Sequence, residues 1–194
     1  MTRPLVLCST SRYRRELLAR LRLTFDCAAP EVDESPLPGE SATALSERLA
    51  LTKARALAPR FPGAVLIGSD QVASCAGVLL GKPGTRERAA EQLSLAAGRA
   101  VEFHTAVAVL DADSGRHRVE RDLTTVRFRA LRQDAIERYL ELEPSLDCAG
   151  SFKCEGLGIA LFEAIDTRDP TALVGLPLIA TARLLREFGL DVLG

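Results

Sequence analysis

Cysteine and histidine are scarce here, and neither is placed for chemistry. The five cysteines, at positions 8, 27, 75, 148 and 154, are odd in number and show no C-x-x-C spacing. That argues against a zinc site and against a disulfide framework. The two histidines, His104 and His117, cannot make a three-histidine site, and His117 falls in an expected hairpin turn. A metal, if one is used, must be held by carboxylates, which favours Mg²⁺ or Mn²⁺. No run of 18 apolar residues is present, so no membrane span is expected. Met1-Thr2-Arg3-Pro4 leads straight into an expected strand, so no signal peptide is expected and a cytoplasmic protein is. There is no G-x-S-x-G, which disfavours a serine hydrolase. A Walker A loop is also missing, as are repeats and low-complexity tracts. Net charge is −1, so no global field draws the chain to nucleic acid or anionic lipid, and any cationic site must be local.

What remains is an apolar chain with local charge. Its 194 residues, 47% hydrophobic, suit one α/β domain over 1–194, or two closely joined lobes. Leu5-Val6-Leu7 is long enough only for a buried strand. Ser9-Thr10-Ser11 follows as a hydroxyl-rich turn that can cap a helix whose core face is Leu17, Leu18 and Leu21. Arg14 and Arg15 sit in its first turn, where a cation costs roughly 0.3–1 kcal/mol. A strand feeding a helix N-terminus is an anion site, and two arginines there make sense if a phosphate binds. The plainer reading is two solvated arginines and an ordinary serine cap.

Further along, Thr24 to Ala28 suits a short strand. Pro30-Glu31-Val32-Asp33-Glu34-Ser35-Pro36 reads as a loop with three carboxylates, either a metal-binding loop or an acidic surface turn. Ser41 caps an expected helix over 42–58 whose apolar arc holds Leu45, Leu49, Ala50, Ala56 and Leu57. Lys53 falls in the middle of that arc, where it either snorkels or meets an anion. Ala64 to Ile67 predicts a second strand, ending at Gly68-Ser69-Asp70-Gln71 with apolar Val72-Ala73 beyond. Asp70 thus interrupts a buried segment at an expected strand end, where α/β ligands bind, or else makes an Asx turn.

Residues 77–81 form an expected hairpin, and Lys82-Pro83-Gly84 a shaped loop. Thr85 caps a helix to Ala97, closed by Gly98. Val101–Leu110 and Val119–Phe128 predict an antiparallel pair in a mixed sheet. A helix over 131–142 turns Ile136, Tyr139 and Leu140 inward and stops at Pro144. Residues 147–156 form a loop, 158–162 a strand and 166–170 a turn. A last helix begins at Pro177 as its first residue, with Leu178, Ala182 and Leu185 as its stripe and Gly189 as its end.

Several of these stretches together resemble the Maf family of nucleoside triphosphate pyrophosphatases over nearly the whole chain. They are Ser9-Thr10-Ser11 with Arg14-Arg15, Pro30 to Glu34, Arg48 with Lys53, Ile67 to Gln71, and Gly81-Lys82-Pro83. Cys148 to Lys153 belongs with them, as does Asp169-Pro170 followed by Leu173 to Leu178. The resemblance implies a mixed α/β fold of the Maf and inosine triphosphate pyrophosphatase kind. Its elongated, curved sheet would be flanked by helices, with two lobes and a cleft. It further implies a divalent metal, Mg²⁺ or Mn²⁺, a cytoplasmic location and often a homodimer, with a small nucleotide as the partner. The implied reaction releases pyrophosphate and leaves a nucleoside monophosphate.

Asp70 would accept the proton of the attacking water, and Glu34 would be the metal ligand. Ser9, Arg14, Arg15, Lys53 and Lys82 would bind phosphate. Within the family the chain resembles the branch that hydrolyses 7-methyl-GTP, at Tyr13, Gln71 and Glu155. The dTTP/UTP branch carries Arg, Thr and Gln at those places, and many members of the 7-methyl-GTP branch carry Trp where this chain has Tyr13. An aromatic face and a carboxylate both suit the cationic N7-methylated guanine. The competing readings are a dTTP/UTP pyrophosphatase and a nucleotide-binding regulator, for example of cell division.

Overall fold

The computed structural model describes residues 3–143 and 145–194. The expectations for Met1-Thr2 and for Pro144 as a helix stop lie outside the described residues. The strands are β1 (Leu5–Leu7), β2 (Asp26–Cys27), β3 (Val65–Cys75), β4 (Val78–Leu80), β5 (Ala100–Asp111), β6 (His117–Phe128) and β7 (Phe162–Asp166). They form one seven-stranded sheet in the order β2-β1-β3-β5-β6-β7, with β4 paired to β3. Pairing is parallel between β1 and both β2 and β3, but antiparallel between β3 and β4 and between β6 and β7. The fold is therefore mixed α/β, with helices α1 (Arg12–Ala19), α2 (Ala42–Leu57), α3 (Arg86–Ala96), α4 (Gln133–Leu142) and α5 (Leu178–Glu187).

The chain divides into two compact units. One holds the chain up to Asp70, with Thr105–Asp122 and Asp169–Gly194; the other holds Gln71–His104 and Leu123–Arg168. In the first unit β1 is buried on both faces. Leu5 and Leu7 pack with Leu17, Leu18, Ile67 and Leu184, while Val6 packs with Leu57 and Leu66. A strand covered on both sides has no polar face, which is why three consecutive apolar residues suffice to make it. Helix α2 lies very close to β3. A Cβ at Gly68 would overlap the Ala50 carbonyl oxygen and stand 3.0 Å from the Ala54 amide. Ala50 and Ala54 are therefore the small residues of the helix that meet the strand, and Ala56, expected in the apolar arc, is exposed.

In the second unit α3 packs on α4. Phe152 stacks edge-on against Phe103, Phe128 and Phe162, at centroid distances of 5.4, 5.5 and 4.8 Å. These contacts anchor the loop that precedes Lys153. The strand expected over 158–162 is instead a 3₁₀ run, Leu157–Leu161, and the strand is Phe162–Asp166. The Gly158 amide donates to Glu143 Oε2 at 3.2 Å, so this backbone folds back on α4 rather than joining a ladder.

Two smaller expectations also shift. His117 opens β6 rather than sitting in the turn. Pro177 caps α5 in an extended conformation, because the first-turn amides of Leu178 and Ile179 are already taken by Thr171 and Asp169. Thr181 replaces Ala182 in the buried stripe of α5; its hydroxyl returns to the Pro177 carbonyl at 2.8 Å, which satisfies it in the core.

Gly68→Ala is expected to cost about 1–3 kcal/mol, the usual range for overpacking. A lower urea midpoint at unchanged slope is the expected reading; an unchanged midpoint would show that α2 withdraws freely from β3.

Candidate active site

Two apolar elements of the first unit hold a charged centre. Lys53 lies at the middle of the packed face of α2 and is 4% exposed. Its ammonium donates to Asp70 Oδ1 at 2.5 Å and contacts Glu34 Oε1 at 2.7 Å. Asp70 is buried on β3, while Glu34 reaches in from an exposed loop. Burial pushes the Asp70 carboxyl above the ordinary carboxylate range. The Lys53 ammonium and the Arg14 guanidinium oppose that rise, and the Glu34 carboxylate adds to it. A carboxyl with raised proton affinity, held by fixed cations, has the character of a general base.

Asp70 does not end its strand, contrary to the sequence expectation, since β3 continues to Cys75. What ends is the parallel ladder to β1. It closes at Ile67, whose carbonyl accepts from the Cys8 amide at 2.8 Å. The strand can continue because its polar side chains are satisfied inside the unit. Ser69 Oγ lies 2.8 and 3.0 Å from the carbonyls of Ala106 and Gly175, which share its one hydroxyl proton, and Asp70 has Lys53.

Helix α1 supplies the second part of the site. Ser11, not Ser9, caps it, accepting from the Arg14 amide at 3.4 Å, while buried Ser9 accepts from the Ser11 amide at 3.1 Å. Half-buried Arg14 commits Nε to the Gly175 carbonyl at 2.9 Å. Burial lowers its pKa, and the Asp70 and Glu34 carboxylates oppose that shift. Arg15 is exposed. Tyr13 accepts from Arg12 at 2.9 Å, and the Arg12 guanidinium also covers a face of its ring at 4.7 Å.

Asp70, Lys53 and Glu34 are thus in direct contact, with Arg14 electrostatically coupled to them. Lys82, Gln71 and Glu155 belong to the second unit. There Lys82 is exposed beyond β4, Gln71 is half-buried on β3, and Glu155 is exposed and accepts from the Cys154 thiol at 3.3 Å.

Two contributors stand in stretches that carry the family resemblance, but their partners carry no local signal. Arg48 forms a two-pronged bond to Glu40 at 2.6 and 2.8 Å and donates to the Ser35 carbonyl at 3.0 Å, which pins the loop bearing Glu34. This bond holds the Glu40 carboxyl at about 2, well below the usual range. The other contributor is the Gly175 carbonyl, 161 residues from Arg14. Neither pairing follows a helical or strand spacing, so only the fold reveals it.

Glu34 and Asp70 are two carboxylates brought together by the Lys53 ammonium, which each of them contacts. Among the described residues no group of three or more His, Cys, Asp and Glu side chains is gathered as a metal cage. Two carboxylates fit the way Mg²⁺ binds when substrate phosphates complete its shell. No described helix is long and apolar enough to cross a membrane.

Fold and site together define an α/β protein with a buried carboxylate–ammonium centre beside an arginine-bearing helix start. Residues 4–188 match the family described as Maf-like protein, and the chain belongs to that family. It is 62% identical over 185 residues to a protein of Xanthomonas oryzae pv. oryzae named 7-methyl-GTP pyrophosphatase, covering 95% of this chain and 96% of that one. A protein of the same name from a Polaromonas species is 59% identical over 188 residues, covering 97% and 86%. Among solved structures, the Staphylococcus aureus Ham1 protein aligns with 64% of this chain and 71% of its own, at TM-score 0.47 and 14% identity.

Lys53→Met leaves Asp70 buried without its ammonium. The expected loss of stability is about 3–5 kcal/mol where Asp70 is ionised, the usual cost of breaking a buried pair. Because the folded-state pKa of Asp70 is raised above its unfolded value, its penalty is absent below the unfolded value of about 3.9. It grows as pH rises through the folded value, and Lys53→Met enlarges it. Urea midpoints of wild type and variant should therefore diverge as pH rises above the unfolded carboxylate range. A gap independent of pH would mean that Asp70 does not carry the effect.

Proposed function

We propose that this chain is a nucleoside triphosphate pyrophosphatase that hydrolyses 7-methyl-GTP to 7-methyl-GMP and pyrophosphate, a house-cleaning activity against a modified nucleotide. The observation that carries the reaction class is the buried Asp70–Lys53 pair with Glu34 at its edge. The substrate is taken from the name its relatives carry at 59–62% identity. A cytoplasmic location and a homodimer belong to the same reading.

In this mechanism Asp70 takes a proton from water as the water oxygen bonds to phosphorus. The bridge between the α- and β-phosphorus breaks, and pyrophosphate departs with the electron pair. A triphosphate carries about four negative charges at neutral pH, and fixed cations stabilise the charge that develops on the leaving group. Lys53 is the buried cation for this task and Arg14 a half-buried one; Arg15 and Lys82 are exposed ones, and Ser9 completes the phosphate-binding set. Glu34 and Asp70 would hold Mg²⁺ or Mn²⁺, which supplies further neutralisation of the leaving pyrophosphate. Lys53 links the parts, since its ammonium orients both carboxylates while remaining a cation that phosphate oxygens attract.

Tyr13, Gln71 and Glu155 are the proposed readers of the base. A carboxylate accepts from the N1–H and N2–H₂ of guanine and favours a cationic ring. Uracil, with acceptors at O2 and O4, is disfavoured. The alternative of a dTTP/UTP pyrophosphatase differs at these three residues.

Asp70→Asn should lower kcat at least ~10²-fold, the scale for losing a general base, with little change in nucleotide affinity by calorimetry. Near-normal turnover in the folded variant would remove Asp70 from the mechanism. In a nucleotide panel with Mg²⁺ or Mn²⁺ restored after EDTA, 7-methyl-GTP should be cleaved well ahead of GTP, dTTP and UTP, with pyrophosphate and not orthophosphate as product. Changing Tyr13, Gln71 and Glu155 together to Arg, Thr and Gln should shift kcat/KM towards UTP. An unchanged ratio would show that these residues do not read the base.

A further inference from the structure

We propose that the backbone carbonyl of Gly175, held in place by Asp169 and Thr171, aims the Arg14 guanidinium and aligns it with the Ser69–Asp70 segment of β3. Gly175, Thr171 and Asp169 are then positioning residues, acting through Arg14. This rests on the reading of Arg14 as a phosphate ligand.

One carbonyl receives two side chains from distant parts of the first unit. Gly175 O accepts from Arg14 Nε at 2.9 Å and from Ser69 Oγ at 3.0 Å. A guanidinium is planar and its five N–H donors form a rigid fork, so fixing Nε fixes the plane and direction of the remaining four. The second bond fixes the residue immediately before Asp70. Arg14 and Asp70 therefore take their mutual geometry from a third element, which bonds Arg14 directly and reaches Asp70 only through its chain neighbour Ser69.

That element is built to hold its shape. Asp169 Oδ1 accepts from the Thr171 amide at 2.9 Å and from its hydroxyl at 2.5 Å, and Asp169 Oδ2 accepts from the Ile179 amide at 2.7 Å. Thr171 Oγ1 accepts in turn from the Leu178 amide at 2.9 Å, which closes the loop across its two ends. Thr105 Oγ1 donates to the Ala172 carbonyl at 3.0 Å, and the Gly175 amide donates to the same carbonyl at 2.9 Å. Gly175 itself has φ 125°, a conformation side-chain-bearing residues rarely adopt, and a Cβ there would face Arg14 Nε at 3.6 Å. Asp169 is 4% exposed, so these bonds run in a region shielded from water.

The test uses Gly175→Ala, Thr171→Val, Thr171→Ser and Arg14→Ala, each alone, and Gly175→Ala combined with Arg14→Ala. The probe is inorganic triphosphate, measured as an inhibitor and by direct calorimetry, alongside kcat and KM for 7-methyl-GTP. Gly175→Ala and Thr171→Val should each weaken triphosphate by about tenfold, since displacing a positioned group by a fraction of an ångström is costly. Thr171→Ser should restore binding to near wild type. With Arg14 already Ala, Gly175→Ala should add no further loss, because the two act as one unit.

If Arg14→Ala weakens triphosphate while Gly175→Ala and Thr171→Val leave it unchanged, the clamp is wrong. Additive losses in the double variant would also overturn it, since the loop would then act independently of Arg14. If Arg14→Ala itself leaves triphosphate binding intact, it is the phosphate reading of Arg14 that fails. Should Gly175→Ala not fold, the Thr171 pair decides the question alone: equal loss in Val and Ser would overturn the proposal.

Discussion

Everything in the candidate site depends on keeping one ammonium and one carboxylate out of water. Stripping solvent from two such ions costs several kcal/mol each, and their attraction repays it only at close range with good geometry. The 2.5 Å approach of Lys53 to Asp70, with Glu34 at 2.7 Å on the same ammonium, meets that condition. Stability alone does not call for the pair, since apolar side chains of equal volume would serve a core as well. Its value is a carboxyl whose proton affinity is raised by burial yet restrained by fixed cations.

That approach is set by backbone packing. Gly68 lets α2 settle against β3 until Ala50 and Ala54 meet the strand. Lys53 neighbours Ala54 in sequence, and Asp70 lies two residues after Gly68. The absence of a side chain at 68 thus controls the length of an ion pair that Gly68 does not itself touch. Ser69, between them in the chain, carries the constraint onward to Gly175 and from there to Arg14. The positioning of charge comes from a glycine, three small residues and a carbonyl.

The second unit follows a different physical logic. Its loop after residue 147 is held by edge-on contacts among four phenylalanines and by Ser151 donating to Gln92 at 2.7 Å. Further on, Glu143 takes the Gly158 amide and packs against Gly156, which flanks Glu155. Large apolar contacts fix where this loop runs, while Glu155 itself stays exposed. In the first unit the central ion pair is buried and the precision lies in short bonds; here the anchor is apolar and the polar tip is exposed.

Local patterning along the chain determined most elements. The apolar triplet of β1, the serine and threonine caps of α1, α2 and α3, and the amphipathic wheel of α2 all express short-range preferences that tertiary packing left in place. Lys53 within an apolar arc and Asp70 within an apolar run were legible as anomalies for the same reason, because a charge there breaks a local pattern. What the chain alone left open was which partner each anomaly meets. Strand β3 continues past Asp70, and residues 157–161 curl into a 3₁₀ run, because side chains far away in sequence satisfy their polar groups. The Arg48–Glu40 fork and the Arg14–Gly175 bond follow no helical or strand period. A hydrogen bond between distant residues depends on where whole elements come to rest. Local propensity sets the elements, and only their packing decides which groups come within 3 Å.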